Sequence, residues 1–137
     1  MMLIFLKTLH LITAIFFIGC VYFRTLIVPR IKPSLGTEKF GEVESLLAIH
    51  SRRFGNFNNA LLLISGLCLY YLYFDSSAWL LHFKAFLGLL LVVLFYLAPF
   101  FVPPLTRSYA GFKSAFHRFL LGMMLLLVVL SQALFLL

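Results

Sequence analysis

Residues 1–23 read MMLIFLKTLHLITAIFFIGCVYF, a run in which Lys7 is the one permanent charge and His10 the one imidazole. About 20 mostly apolar residues in helical form cross the hydrocarbon of a bilayer. This stretch therefore decides the class, a membrane-spanning helix that extends to about Val28 (residues 1–28). Three further stretches read the same way, at about residues 55–74, 79–102 and 119–137. Backbone polar groups find no water in hydrocarbon, so each stretch is expected to be a helix. Barrel strands would be shorter and would alternate apolar with polar residues, which these runs do not. The first stretch is too long for a signal peptide, and Arg24 and Pro29 follow it instead of a small-residue cleavage site. It is read as a permanent helix.

The whole composition agrees. Of 137 residues, 64% are hydrophobic and 11% charged, and the mean hydropathy is +1.09. A soluble domain is about 45–50% apolar and about 25% charged. This excludes an ordinary water-soluble enzyme, a disordered chain and a nucleic-acid-binding domain; no nucleic-acid partner is expected. The net charge of +7 lies beside the apolar runs. Arg24, Arg30, Lys32, Lys39, Arg52 and Arg53 fall between the first two spans. Arg107 and Lys113, with Arg118, fall between the last two, whereas the middle link holds only Asp75, Ser76 and Ser77. Positive charge marks the cytoplasmic side. The expected fold is therefore all-α: a single-domain, multi-pass four-helix bundle in the plasma (inner) membrane, with both termini non-cytoplasmic.

Within the first connection, Pro29 and Pro33 predict a break. From Gly36, Phe40, Val43, Leu46, Leu47 and Ile49 recur at helical spacing. They predict an amphipathic cytoplasmic helix before span two, capped by Thr37 and either continuous with that span or bent near Gly55. Pro99, Pro103 and Pro104 predict the end of span three. Gly19, Gly88 and the Ser65-Gly66 pair are expected where helices approach closely. Asn56, Asn58 and Asn59 either cap a helix start or line a polar pocket.

Ionisable groups at membrane depth are costly and so mark sites. Lys7, His10, Arg24, His82 and Lys84 qualify, and His50 and His117 lie near the cytoplasmic boundary. His10 lies roughly 13 Å inside span one at 1.5 Å per residue. Lys7, Thr13, Ala14 and Phe17 share its face, a stripe suited to a flat apolar cofactor. His10 is the candidate haem or metal ligand, or else a structural histidine hydrogen-bonded across helices. Lys84, about 8 Å into span three, either snorkels to the interface or holds an anionic group such as a porphyrin propionate or a quinone oxygen. His82 is the second candidate metal ligand, or an interfacial residue; His50 and His117 rank behind it. The inner arginines orient the chain, contact anionic lipid, or dock substrate carboxylates. Trp79, Tyr70, Tyr71 and Tyr73 form an aromatic belt. Cys20 and Cys68 sit in apolar runs and read as small hydrophobes. No Walker loop, Rossmann glycine pattern or CxxCH motif occurs, so any haem would be a non-covalent b-type.

The run from Phe5 through Lys7, His10 and Gly19 to Tyr22, Phe23 and Arg24 resembles the first helix of HemJ-type protoporphyrinogen oxidases. Trp79-Leu-Leu-His-Phe-Lys84 with Tyr96 resembles that family's third helix, and Arg52-Arg53-Phe before span two is similar in layout. The broader CopD-like group shares this layout. The resemblance is specific at Lys7, His10, Gly19, Arg24 and Lys84. Phe17-Ile18, Pro29-Arg30 and Phe116-His117-Arg118 depart from the family pattern. The resemblance implies a haem-b membrane redox protein acting on protoporphyrinogen IX and passing electrons onward in the membrane. It implies His10 as haem ligand and Lys84 and Arg24 as catalytic polar groups, with Lys7 and Phe17 beside the cofactor. Other readings left open are a CopD-like copper transporter and a non-catalytic accessory subunit; a homodimer fits any of them.

Overall fold

A computed structural model describes residues 1–109 and 111–136, with the side chains of 135 and 136 left aside. Every regular element among the described residues is helical. Helix α1 spans Met2–Tyr22, α2 Lys32–Leu35, α3 Thr37–Leu72, α4 Trp79–Ser108 and α5 Phe112–Leu136. Residue 137, the end of the expected fourth span, lies outside the described residues.

Helix α1 packs on α3, α3 on α4, α4 on α5, and α5 returns to α1. These four elements thus close a ring. Inside it sit Phe17, Leu62, Leu91, Val92, Ala98, Phe116, Leu120 and Met124. Buried with them are the polar Thr13, Asn58, Asn59 and Ser65. The outer surface is apolar: Phe57 is 70% exposed, Tyr71 81%, Trp79 70% and Phe100 77%. The accessible surface is 9296 Å², against about 7,300 Å² for a compact soluble monomer of this mass. A polar seam inside and apolar rings outside suit lipid as solvent, where helices associate through packing and polar contacts. Three helices are long and apolar enough to cross a membrane: Met2–Leu35, Trp79–Ser108 and Phe112–Leu134. Helix α3 is longer, 36 residues, or about 54 Å at 1.5 Å per residue. Its charged first half and Asn56, Asn58 and Asn59 keep it out of that set.

Several sequence expectations are corrected here. Pro29 and Pro33 do not break the first helix. The chain continues through a wide π turn at Phe23–Ile27 and a tight 3-10 turn at Val28–Ile31 into α2. Changing the turn width accommodates residues that cannot donate to the preceding turn. The break comes at Gly36, whose φ of +82° favours glycine. Gly36 itself occupies the N-cap position of α3, and Thr37 makes no capping bond. Of the two alternatives for the amphipathic segment, the continuous one holds: it and span two form the single helix Thr37–Leu72. The prolines of α4 lie inside the helix, which runs on to Ser108. A Cβ at Gly19 or Gly88 would meet nothing within 4 Å, so neither glycine serves close approach. Gly55 does: a Cβ there would fall 2.5 Å from Cζ of Phe95.

Candidate functional site

The polar interior divides into two groups. The first lies toward the end that holds the start of α1, the end of α3 and the start of α4. His10 on α1 turns inward to α3, and its Nδ1 is 3.2 Å from the Ser65 hydroxyl. Ser65 is fully buried and donates onward to the Leu62 carbonyl at 3.1 Å. Gly66 makes the approach feasible, because a Cβ there would sit 3.0 Å from His10 Cε1. Nε2 of His10 makes no hydrogen bond among the described residues. A histidine with one ring nitrogen fixed and the other free has the arrangement common to metal-binding imidazoles. Lys84, half-buried on α4, lies within electrostatic range of the ring.

Other residues expected beside His10 are elsewhere. Lys7 is exposed, with its ammonium 5.1 Å from the Tyr73 ring centroid. Phe17 is buried deeper in the ring of helices, edge-on to Phe95 at 5.6 Å. His82 has both nitrogens engaged: the Tyr70 hydroxyl lies 2.6 Å from Nδ1, and the Asp75 carbonyl lies 2.9 Å from Nε2. It ties the α3–α4 link to the helices on either side. In that link, the N–H and hydroxyl of Ser77 both donate to Asp75, at 3.0 and 2.8 Å. These bonds hold its carboxyl below the ordinary range. His50 is exposed on α3.

The second group lies toward the other end, around two cavities of about 80 and 230 Å³. Arg24 and His117 line both. Arg24 Nη1 donates to Ser51 at 3.2 Å. Asn58 ties α3 to α1 by donating to the Thr13 carbonyl at 2.9 Å, and also donates to Asn59 Oδ1 at 3.1 Å. Arg52 donates to the Phe95 carbonyl at 2.5 Å and stacks on the Phe95 ring, 4.0 Å from its centroid. That carbonyl is the one orphaned by Pro99, which has no N–H to return to it. Across the cavity mouth, Lys113 pairs with Glu44 at 2.6 Å.

The structure separates His10 from Arg24, and it gives His117 a cavity wall. Asn58 and Asn59 take the pocket-lining role, since no helix begins there. Their signal was the seven-residue spacing of Asn58 and Ser65, which places two polar groups on one face of α3. The close approach at Gly55 and the role of Arg52 on Phe95 had no such signal, because both depend on the neighbouring helix. No protein-family model, curated protein or solved structure matches the chain.

Proposed function

We propose that the chain is a four-span protein of the plasma membrane, with the basic connections cytoplasmic, that binds haem b through His10 and serves membrane redox chemistry of the HemJ type. The observation that supports this most is the His10–Ser65 contact. It fixes Nδ1 and leaves Nε2 as the nitrogen for iron. His10 is the residue that would hold a b-type haem, through its unengaged ring nitrogen. Neither cavity reaches His10, so the haem reading rests on the ligand and not on an enclosed pocket.

When bound, haem b supplies one-electron transfer. The chain's own residues do the rest. Ser65 orients the imidazole. Gly66 keeps the ring against α3. Lys84 offers a cation to an anionic group of a porphyrin or to a quinone oxygen. Arg24 stands at the far end as a carboxylate or phosphate anchor. Substrate would be protoporphyrinogen IX, with electrons leaving to a membrane acceptor. A copper-transport reading has less support, because no three of His, Cys, Asp and Glu converge among the described residues.

The test is an oxidised-minus-reduced absorption spectrum of protein purified in mild detergent after growth with added haem precursor. Sharp b-type bands are expected in the wild type, absent in His10→Ala and weakened in Ser65→Ala. A featureless wild-type spectrum, or full haem retention in His10→Ala, refutes the assignment.

A further inference from the structure

The cavities around Arg24 carry an unmet demand for acceptors. Three buried polar atoms lack a hydrogen-bond partner among the described residues: Arg24 Nε, Thr25 Oγ1 and Asn59 Nδ2. Asn59 is 0% exposed and lines the smaller cavity. Its carbonyl oxygen already accepts from Asn58, so what remains is donor. Thr25 lines the larger cavity, and Arg24 lines both. Buried polar groups are ordinarily satisfied, and each exception calls for a reason.

The charge balance gives that reason a sign. Glu44 is the one carboxylate on either wall, and Lys113 neutralises it. Arg52 is committed to the Phe95 carbonyl and ring. Arg24 has a hydroxyl partner, Ser51, but no anion. A water could accept from Asn59 but would not offset the Arg24 charge. The missing group is therefore negative and rich in acceptor oxygens. Size agrees: a cavity of about 150 Å³ holds a benzene-sized ligand, and the larger space is about 230 Å³. The Arg24 guanidinium and Thr25 hydroxyl, neighbours on the π turn at the wall of the larger cavity, suit a phosphate, whose oxygens point several ways.

We propose that the larger cavity is a binding site for a phosphate group, held by Arg24 and Thr25. The phosphate comes either from a phospholipid headgroup or from a soluble phosphate; the site chemistry is the same. This assignment is independent of haem at His10.

The test is thermal unfolding of the full chain, delipidated in a neutral detergent, with inorganic phosphate or chloride at matched ionic strength. It is repeated in mixed micelles containing phosphatidic acid or the phosphate-free diacylglycerol of the same chains. A ligand that binds the folded state raises the midpoint. For a soluble source, inorganic phosphate is expected to raise it where chloride does not. For a lipid source, phosphatidic acid alone does so. In either arm, Arg24→Gln weakens apparent affinity at least tenfold. Thr25→Val weakens it at least threefold without lowering the ligand-free midpoint, because its hydroxyl has no partner to lose. No stabilisation in either arm overturns the proposal, as does stabilisation that survives intact in Thr25→Val.

Discussion

Arg52 repairs the helix that Pro99 damages, and this has a measurable signature. Pro99 cannot donate to the Phe95 carbonyl, and the Arg52 guanidinium does so in its place while lying over the Phe95 ring. In Arg52→Met the stem still packs, but the carbonyl loses a charged donor, worth about 1.5–3 kcal/mol. The ring also loses a cation, worth about 0.5–2 kcal/mol. Polar contacts between membrane helices measure at the low end of such ranges, so a total of about 2 kcal/mol is expected. In Pro99→Ala, the new N–H reaches the Phe95 carbonyl through the ordinary helical bond. Arg52→Met in that background then costs only the ring contact, about 0.5–1 kcal/mol. Equilibrium unfolding of the four proteins in detergent closes the cycle, with an expected coupling of about 1–1.5 kcal/mol. Independent sites add within about 0.5 kcal/mol. Additivity within that margin refutes the repair and leaves Arg52 as an interfacial charge.

Gly55→Ala drives a Cβ to 2.5 Å from Phe95 Cζ, displacing a ring that also packs on Phe17. It is expected to cost about 1–3 kcal/mol in the same unfolding assay, whereas Gly19→Ala, with open space around it, costs nothing measurable or stabilises. Gly66→Ala moves the His10 ring by a few tenths of an ångström; haem yield per mole of protein is expected to fall while the folded fraction holds. The Asp75 carboxyl has a lowered folded pKa through its two bonds from Ser77. Its stabilisation is present above the ordinary carboxylate range and is lost as pH falls through the lowered value, below about pH 4. Asp75→Asn is expected to remove that dependence, and parallel midpoint–pH profiles of the two proteins would contradict it. Glu44→Gln breaks a partly exposed pair and is expected to cost no more than about 1 kcal/mol.

The class of this protein was legible in Met1–Phe23 and its counterparts, because lipid demands about 20 apolar residues in helical form and little else satisfies that demand. His10 was legible too, since an imidazole so deep in an apolar run needs a partner. Its partner was not. Ser65 and Gly66 lie 55 and 56 positions away, and only the packing of α1 on α3 sets them against the ring. The prolines misled for a related reason. Proline orphans the carbonyl four residues before it and crowds that turn, so it weakens a helix without having to end it. In α4 a donor arrives from α3 for the carbonyl that Pro99 orphans, and all three prolines lie inside a helix that runs on to Ser108. Likewise Gly55 and Gly19 look alike in sequence, yet only one has an aromatic ring against it. Hydropathy and periodicity are properties of a segment and can be read along the chain. Which polar group satisfies which, and where a cavity remains unsatisfied around Arg24, depends on the faces that meet when the helices close their ring.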